Sequence, residues 1–136
     1  MATTKHTVIV YVAGPCSVGY VAENVHCNLI TGIQLIRDGY QAYAPLVTHY
    51  WDIASPQGWE FWLSYDCEWL RSWVDLSTSR HDYDFVLLRM PGESKGADRE
   101  VDYVLRLGGN VVYTVEDLHR RFPVEKPDPR RLVRSF

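Results

Sequence analysis

The sequence predicts an α/β fold: a three-layer sandwich built on a mainly parallel sheet of four or five strands. Short apolar runs of strand length alternate with longer segments whose apolar residues recur every three or four positions. The order along the chain is β-α-β-α-β-α-β-α, and this alternation implies parallel strands joined by right-handed crossover helices. A chain of 136 residues has the length of a single domain.

The first half of the chain supplies two strands and one helix. The run TVIVYVA at 7–13 is apolar throughout, as expected for a strand buried on both faces. A helix is predicted from about Val21 to Arg37, and Gly39 follows where a left-handed C-cap is expected. YQAYAP then forms a second short strand. The predicted buried stripe of the helix is Ala22, Val25, Leu29, Ile33 and Ile36.

The second half repeats this alternation. LVTHYWDIA is predicted to be a loop, and Ser55 followed by Pro56 suits the start of a helix over about 57–74. DFVLLRM is the third strand, and the helix after it closes at the pair Gly108–Gly109. NVVYTV is a fourth strand, and VEDLHRRF is a last short helix. We therefore expect one domain over 1–122 and a Pro- and Arg-rich tail over 123–136, in the arrangement of flavodoxin-like and Rossmann-like folds.

Composition excludes several classes of function. A formal charge of −3 does not favour binding to nucleic acid, and no apolar run approaches the roughly 20 residues that span a membrane. The three cysteines form no C-x-x-C pair, so reduced thiols in the cytoplasm are expected, and the scattered histidines do not indicate a metal site. The chain has no G-x-G-x-x-G, Walker or G-x-S-x-G motif, and we expect no cofactor.

The loops after the first and third predicted strands are expected to meet in one crevice. In parallel sheets of this kind, ligands bind beyond the carboxyl ends of the strands. The loop that begins at Gly14 and Pro15 and includes Ser17 follows the first strand, and Pro91 to Ser94 follow the third. These loops therefore form the mouth of the predicted binding site.

The stretch PGESKGADREV carries the candidate chemistry. With Ser94 as N-cap, Lys95, Gly96 and Ala97 present free backbone N–H groups, and a helix start of this kind binds phosphate. The helix is expected to bury Ala97, Val101, Val104 and Leu105, with Glu100 at the margin of that stripe. Glu100 is either a functional carboxylate or a surface residue that favours the helix dipole.

Three other polar residues are weaker candidates. Asp66 lies on the stripe of Trp59, Trp62, Trp69 and Trp73, so its charge must be hydrogen-bonded, face a cavity or face a subunit contact. Asp84 opens the third strand, where it either caps a turn or serves the site. His49 follows the second strand and is within reach of the crevice.

YVAGP after the first strand, Asp84 at the start of a later strand, and S-x-G-A-x-x-E before an apolar helix together resemble the nucleoside 2-deoxyribosyltransferase superfamily. That superfamily includes 2'-deoxynucleoside 5'-monophosphate N-glycosidases and CMP hydrolases, and the resemblance covers about residues 7–115. PG…GAxxE is also similar to the PGGxGTxxE of phosphoribohydrolases that release cytokinin bases, with a spacing one residue longer here. Both relatives break the N-glycosidic bond of nucleotides.

The resemblance implies a role for each matching residue. Glu100 would be the nucleophile at C1', Tyr11 would orient it, and Asp84 would position or protonate the leaving base. Ser94 stands where the monophosphate hydrolases bind phosphate. Those hydrolases also carry a Ser and an Arg after the first strand, whereas this loop reads PCSVGY. Phosphate binding would then depend on Ser94, the helix amides, and Ser17 or Lys95.

The resemblance implies cleavage of a nucleoside or nucleoside 5'-monophosphate, by hydrolysis or by 2-deoxyribosyl transfer. A catalytically silent nucleotide-binding module of the same fold is the alternative, and a flavin-binding domain is a third possibility. The tryptophan-rich second helix offers more apolar surface than one small domain covers, so a homodimer or larger homo-oligomer is expected.

Overall fold

Four parallel strands form the single sheet of the described chain, which covers residues 6–16 and 18–128 of a computed structural model. The strands are β1 (Thr7–Ala13), β2 (Gln41–Tyr43), β3 (Tyr83–Arg89) and β4 (Asn110–Val112). Their order across the sheet is β2-β1-β3-β4, and every neighbouring pair is parallel. The predicted α/β fold with a parallel sheet is confirmed.

Residues 6–16 and 18–128 form five helices, four of which cover the two faces of this sheet. The five helices are α1 (Val21–Arg37), α2 (Thr48–Ala54), α3 (Trp59–Ser79), α4 (Lys95–Arg106) and α5 (Val115–Arg121). On one face, α3 and α4 pack on the side chains of alternate residues of β1 and β3, including Tyr11 and Leu87. On the other face, α1 and α5 pack on the intervening residues, including Val10 and Val86. The result is the predicted three-layer sandwich.

The two central strands are apolar because both of their faces are covered. Residues Val8 to Ala13 of β1 and Phe85 to Arg89 of β3 are all buried. Thr7 pairs with Tyr83 and Ala13 with Arg89, so β1 and β3 pair over their full length and end at the same edge of the sheet. The loops that follow them, beginning at Gly14 and Met90, therefore leave the sheet side by side.

The buried face of α1 differs from the predicted stripe. Val25 is buried as expected, but Ala22, Ile33 and Ile36 are exposed, and Asn28 and Gly32 lie against the sheet layer instead. Gly32 approaches Ala44 so closely that a Cβ at Gly32 would lie 3.4 Å from the Ala44 Cβ. The burial of Asn28 is tolerated because its Nδ2 donates a hydrogen bond to the carbonyl of Val12. Close packing at Gly32 and the hydrogen bond of Asn28 thus decide which face of α1 is buried, more than the hydropathy of its side chains does.

The segment after β2 is helical, and the prediction of a loop there is wrong. Pro45–Val47 form a 3-10 turn that continues into α2, and the Thr48 hydroxyl donates to the Pro45 carbonyl. The next helix is capped by Gly58 instead of Ser55, and it extends to Ser79. Asp52 explains the shift, because its Oδ1 accepts the backbone N–H of Gln57 at 2.8 Å and holds the connection before α3 extended.

The predicted ends of α1 and α4 are confirmed, and the predicted burial of one residue of α4 is not. Gly39 and Gly108 have φ of 106° and 80°, as expected for glycines that follow helix ends. Leu105 is exposed, contrary to its predicted burial on α4. Residues 123–128 have no regular secondary structure, and the rest of the predicted tail lies outside the described residues. No helix over 6–16 and 18–128 is both long enough and apolar enough to cross a membrane.

Candidate active site

A cavity of about 590 Å³ opens at the carboxyl edge of the sheet. Its walls are the loop after β1, the segment from Pro45 through α2, the first half of α3, and the start of α4. Its volume is typical of small-ligand sites, which span roughly 300–1,000 Å³. The predicted site residues that line it are Gly14, His49, Asp66, Ser94, Lys95, Gly96, Ala97 and Glu100.

Glu100 lies in the cavity wall with its carboxyl group almost withdrawn from solvent. It is 7% exposed and belongs to the buried face of α4, with Ala97, Val101 and Val104. Tyr11, which is fully buried in the centre of β1, donates its hydroxyl hydrogen to Glu100 Oε2. The strand thus fixes the tyrosine, and the tyrosine fixes the orientation of the carboxyl group.

Asp66 is a second buried carboxyl group in the same wall. It projects from α3, is 8% exposed, and lines the cavity. No described residue makes a hydrogen bond to its Oδ1. Of the possibilities that the sequence leaves open for this residue, the cavity is therefore the one that the coordinates favour.

Burial and mutual repulsion shift the ionisation of this group of residues. Burial raises the pKa of Glu100 to about 8, and the charge of Asp66 adds to the shift, while the Tyr11 hydrogen bond and Arg89 oppose it. Burial also raises the pKa of Asp66 to about 7. The pKa of Tyr11 is raised well above its usual value, by burial first and then by Glu100 and Asp66. The tyrosine therefore stays a hydrogen-bond donor at neutral pH.

Ser94 caps α4 as predicted and leaves backbone donors at the cavity. Its side-chain oxygen accepts the N–H of Ala97 at 3.1 Å. The Ala97 N–H is therefore not free, contrary to the prediction. The N–H groups of Lys95 and Gly96 and the hydroxyl hydrogen of Ser94 remain available to a ligand. Gly96 keeps this approach open, because nothing lies within 4 Å of the position that a Cβ would occupy there.

Arg89 is a structural residue of the site that sequence reasoning missed. It ends β3 and is 9% exposed. Its Nη2 donates to the carbonyl of Gly92 and to Asp98 Oδ1, both at 2.9 Å, so it ties the loop after β3 to the first turn of α4. The alternation of Phe85, Leu87 and Arg89 along the strand could have placed it on the face of Tyr11.

Two tryptophans of α3 form an aromatic wall of the cavity, and the Arg99 guanidinium of α4 lies over the Trp59 ring, 5.2 Å from its centroid. Trp59 and Trp62 project into the cavity from the first turns of α3. The Trp62 indole N–H donates to Asp52 Oδ1 at 2.8 Å, and this bond lowers the pKa of Asp52, which therefore stays ionised. The sequence analysis placed these tryptophans on one stripe of a helix and did not assign them to the site.

Three predicted site residues that the structure describes do not line the cavity: Asp84, Pro15 and Tyr11, which is fully buried and reaches the site only through its hydrogen bond to Glu100. Asp84 begins β3, roughly 16 Å along the strand from Arg89, at the opposite edge of the sheet. His6 Nε2 lies 2.5 Å from Asp84 Oδ2, so this carboxylate belongs to a surface ion pair when the histidine is protonated. Pro15 packs against Gly92. Ser17 lies outside the described residues.

No family model, curated protein or solved structure gives a significant match to this chain. Among residues 6–16 and 18–128, no three His, Cys, Asp or Glu side chains are grouped in a way that would hold a metal ion. The cavity is lined by two buried carboxyl groups, the first residues of α4 and two indole rings, and the buried Tyr11 hydroxyl orients one of the carboxyl groups.

Proposed function

We propose that this protein cleaves the N-glycosidic bond of a nucleoside or nucleoside 5'-monophosphate through the carboxylate of Glu100. The observation that carries the proposal is the buried Glu100 carboxyl group, oriented by Tyr11 and open to a ligand-sized cavity. A carboxylate beneath the sugar traps or stabilises the oxocarbenium character that develops at C1' as the base departs.

The layout of α4 supports a nucleotide in one particular orientation. Gly96, at the start of the helix, and Glu100 are separated by one helical turn, about 6 Å along the axis. That separation is comparable to the distance between the 5'-phosphate and the anomeric carbon of a nucleotide. With phosphate on the amides and C1' over Glu100, the base is directed toward the wall formed by Trp59 and Trp62.

The proposed reaction has two steps. The Glu100 carboxylate forms an ester with C1', the C1'–N bond breaks, and the base leaves with the bonding electrons and takes a proton from solvent. Water then attacks C1', the bond between C1' and Glu100 breaks to restore the carboxylate, and the proton of the water passes to solvent; in a transfer reaction a second base attacks C1' and loses its proton instead. Because burial raises the pKa of Glu100 to about 8, the reactive anion becomes more abundant as the pH rises from 6 to 9.

The proposal is tested by incubating the protein with nucleosides and nucleoside 5'-monophosphates of all common bases between pH 6 and 9. Free base is measured by chromatography, with and without a second base as acceptor. Base release supports the proposed enzymatic activity. Comparison of the release with and without the acceptor base distinguishes hydrolysis from transfer. The raised pKa of Glu100 also favours the catalytically silent binder, since a protonated carboxyl group is a poor nucleophile. Ligand-induced melting shifts without base release at any pH would support that binder.

Ser94→Ala is expected to raise the KM for a nucleoside 5'-monophosphate roughly 10-fold and to leave the KM for the free nucleoside nearly unchanged. The reason is the loss of one hydroxyl donor to the phosphate. Steady-state base release gives both constants. The variant should also lose about 1 kcal/mol of stability because it removes the N-cap of α4.

Thr114→Ala is the matched control, since Thr114 caps α5 by accepting the N–H of Asp117 at 3.0 Å and does not line the cavity. It should show a similar loss of stability with no change in KM. Equal KM effects on phosphorylated and free substrates in Ser94→Ala would show that Ser94 does not contact the phosphate.

A further inference from the structure

The unpaired oxygen of Asp66 indicates what the ligand must supply. Buried polar atoms are almost always hydrogen-bonded, and each exception calls for an explanation. Two buried side-chain oxygens have no partner among the described residues, Asn28 Oδ1 and Asp66 Oδ1. Only Asp66 lines the cavity. A carboxyl oxygen held there without a partner is suited to a hydrogen-bond donor carried by the ligand.

Asp66 lies on the same side of the cavity as the proposed nucleophile. Asp66 and Glu100 line the same cavity, both raise the pKa of the buried Tyr11 hydroxyl, and the charge of Asp66 also raises the pKa of Glu100. A group beside Glu100 reaches the face of the sugar that Glu100 attacks, which is opposite to the base. In a ribonucleoside, the hydroxyl nearest to C1' on that face is the 2'-hydroxyl, which is absent from 2'-deoxynucleosides.

We propose that Asp66 accepts a hydrogen bond from the ribose 2'-hydroxyl, so that the substrates are ribonucleosides or their 5'-monophosphates and not the 2'-deoxy forms. This inference rests on the proposed function of the same cavity. Glycosidases gain transition-state stabilisation from hydrogen bonds to the 2-hydroxyl that strengthen as the glycosidic bond breaks. The discrimination should therefore be larger in kcat/KM than in binding.

The test compares four 5'-monophosphates with one base: ribo, 2'-deoxy, 3'-deoxy and arabino. We expect kcat/KM for the ribo form to exceed that for the 2'-deoxy form by roughly 100-fold, because a site built to hydrogen-bond a hydroxyl rejects analogues that lack it. The arabino form, whose 2'-hydroxyl lies on the other face, should behave like the 2'-deoxy form. The 3'-deoxy form should stay close to the ribo form.

Asp66→Leu should remove most of this preference by lowering kcat/KM for the ribo form alone. Asp66→Asn keeps an acceptor oxygen and should retain part of the preference. Asp75→Leu is the control, because Asp75 lies on the same helix and is exposed. The dissociation constants of all four nucleotides, measured from the quenching of tryptophan fluorescence, provide a second readout that does not need turnover.

The outcomes separate this inference from the proposed function. Base release with equal or better use of the 2'-deoxy form would overturn the role of Asp66 and leave the glycosidase intact. Tighter binding of the ribo form, lost in Asp66→Leu, with no base release would overturn the glycosidase and support the role of Asp66. Binding of the four nucleotides without preference, in the absence of turnover, would overturn both.

Discussion

Glu100→Gln is expected to lower the rate of base release by roughly 10³-fold or more, which is the scale of loss when a covalent nucleophile is removed. Glutamine has the size of glutamate, and its side-chain oxygen can still accept the hydrogen bond from Tyr11. Replacing a buried acid by an amide of the same shape leaves the packing of α4 intact. The loss should therefore appear in kcat with little change in the affinity for the nucleotide.

Single-turnover base release with enzyme in excess measures this effect at the chemical step. Asp102→Asn is the matched control, because Asp102 lies two residues further along the same helix and is exposed. It removes one carboxylate from α4 and should retain the full rate. A Glu100→Gln variant with at least a tenth of the original rate would show that this carboxylate is not the nucleophile.

The second large effect concerns stability against pH. The folded-state pKa of Glu100 is about 8 against an ordinary 4.5, and that of Asp66 is about 7 against 3.8. Below about pH 3 both groups are mostly protonated in the folded and the unfolded chain, so their contribution to stability is fully present. As the pH rises toward 8, the two carboxyl groups ionise in the unfolded chain but stay largely protonated in the folded chain. The free energy of unfolding therefore falls.

We therefore expect Glu100→Gln to raise the free energy of unfolding at pH 9 by roughly 4 kcal/mol relative to the unmodified chain, and to change it little at pH 4. Asp66→Asn should act in the same direction. Urea unfolding at both pH values gives the difference, and comparison with the unmodified chain cancels the other titrating groups. An equal effect of Glu100→Gln at the two pH values would show that the carboxyl group ionises normally in the folded chain.

The features that the sequence predicted well depend on local signals. The bounds of β1 and α1 follow from an uninterrupted apolar run and from a glycine that ends the helix. The N-cap role of Ser94 follows from a hydroxyl placed just before a helical pattern. Each of these signals lies within a few residues of the structure that it specifies.

The features that the sequence did not predict depend on contacts between distant segments. Ile33 and Ile36 are more apolar than Asn28 and Gly32, yet α1 buries Asn28 and Gly32 instead. Gly32 packs closely against Ala44, and Asn28 donates a hydrogen bond to the Val12 carbonyl. The burial of Glu100 likewise required the position of Tyr11, 89 residues earlier in the chain. Asp84 is different, because its place at the start of β3 already assigned it in the sequence to the edge opposite to the carboxyl ends of the strands, and the structure places it there.

The pairing of β1 with β3 has a consequence for synthesis on the ribosome. Thr7 and Tyr83 are register partners, so β1 is made long before its main neighbour emerges. Until then its TVIVYVA segment has only the three-residue β2 beside it, and one backbone edge is unpaired. Fragments that stop before residue 83 should accordingly self-associate. In the nascent chain, prompt translation of the second half, or binding to a chaperone, should limit this self-association.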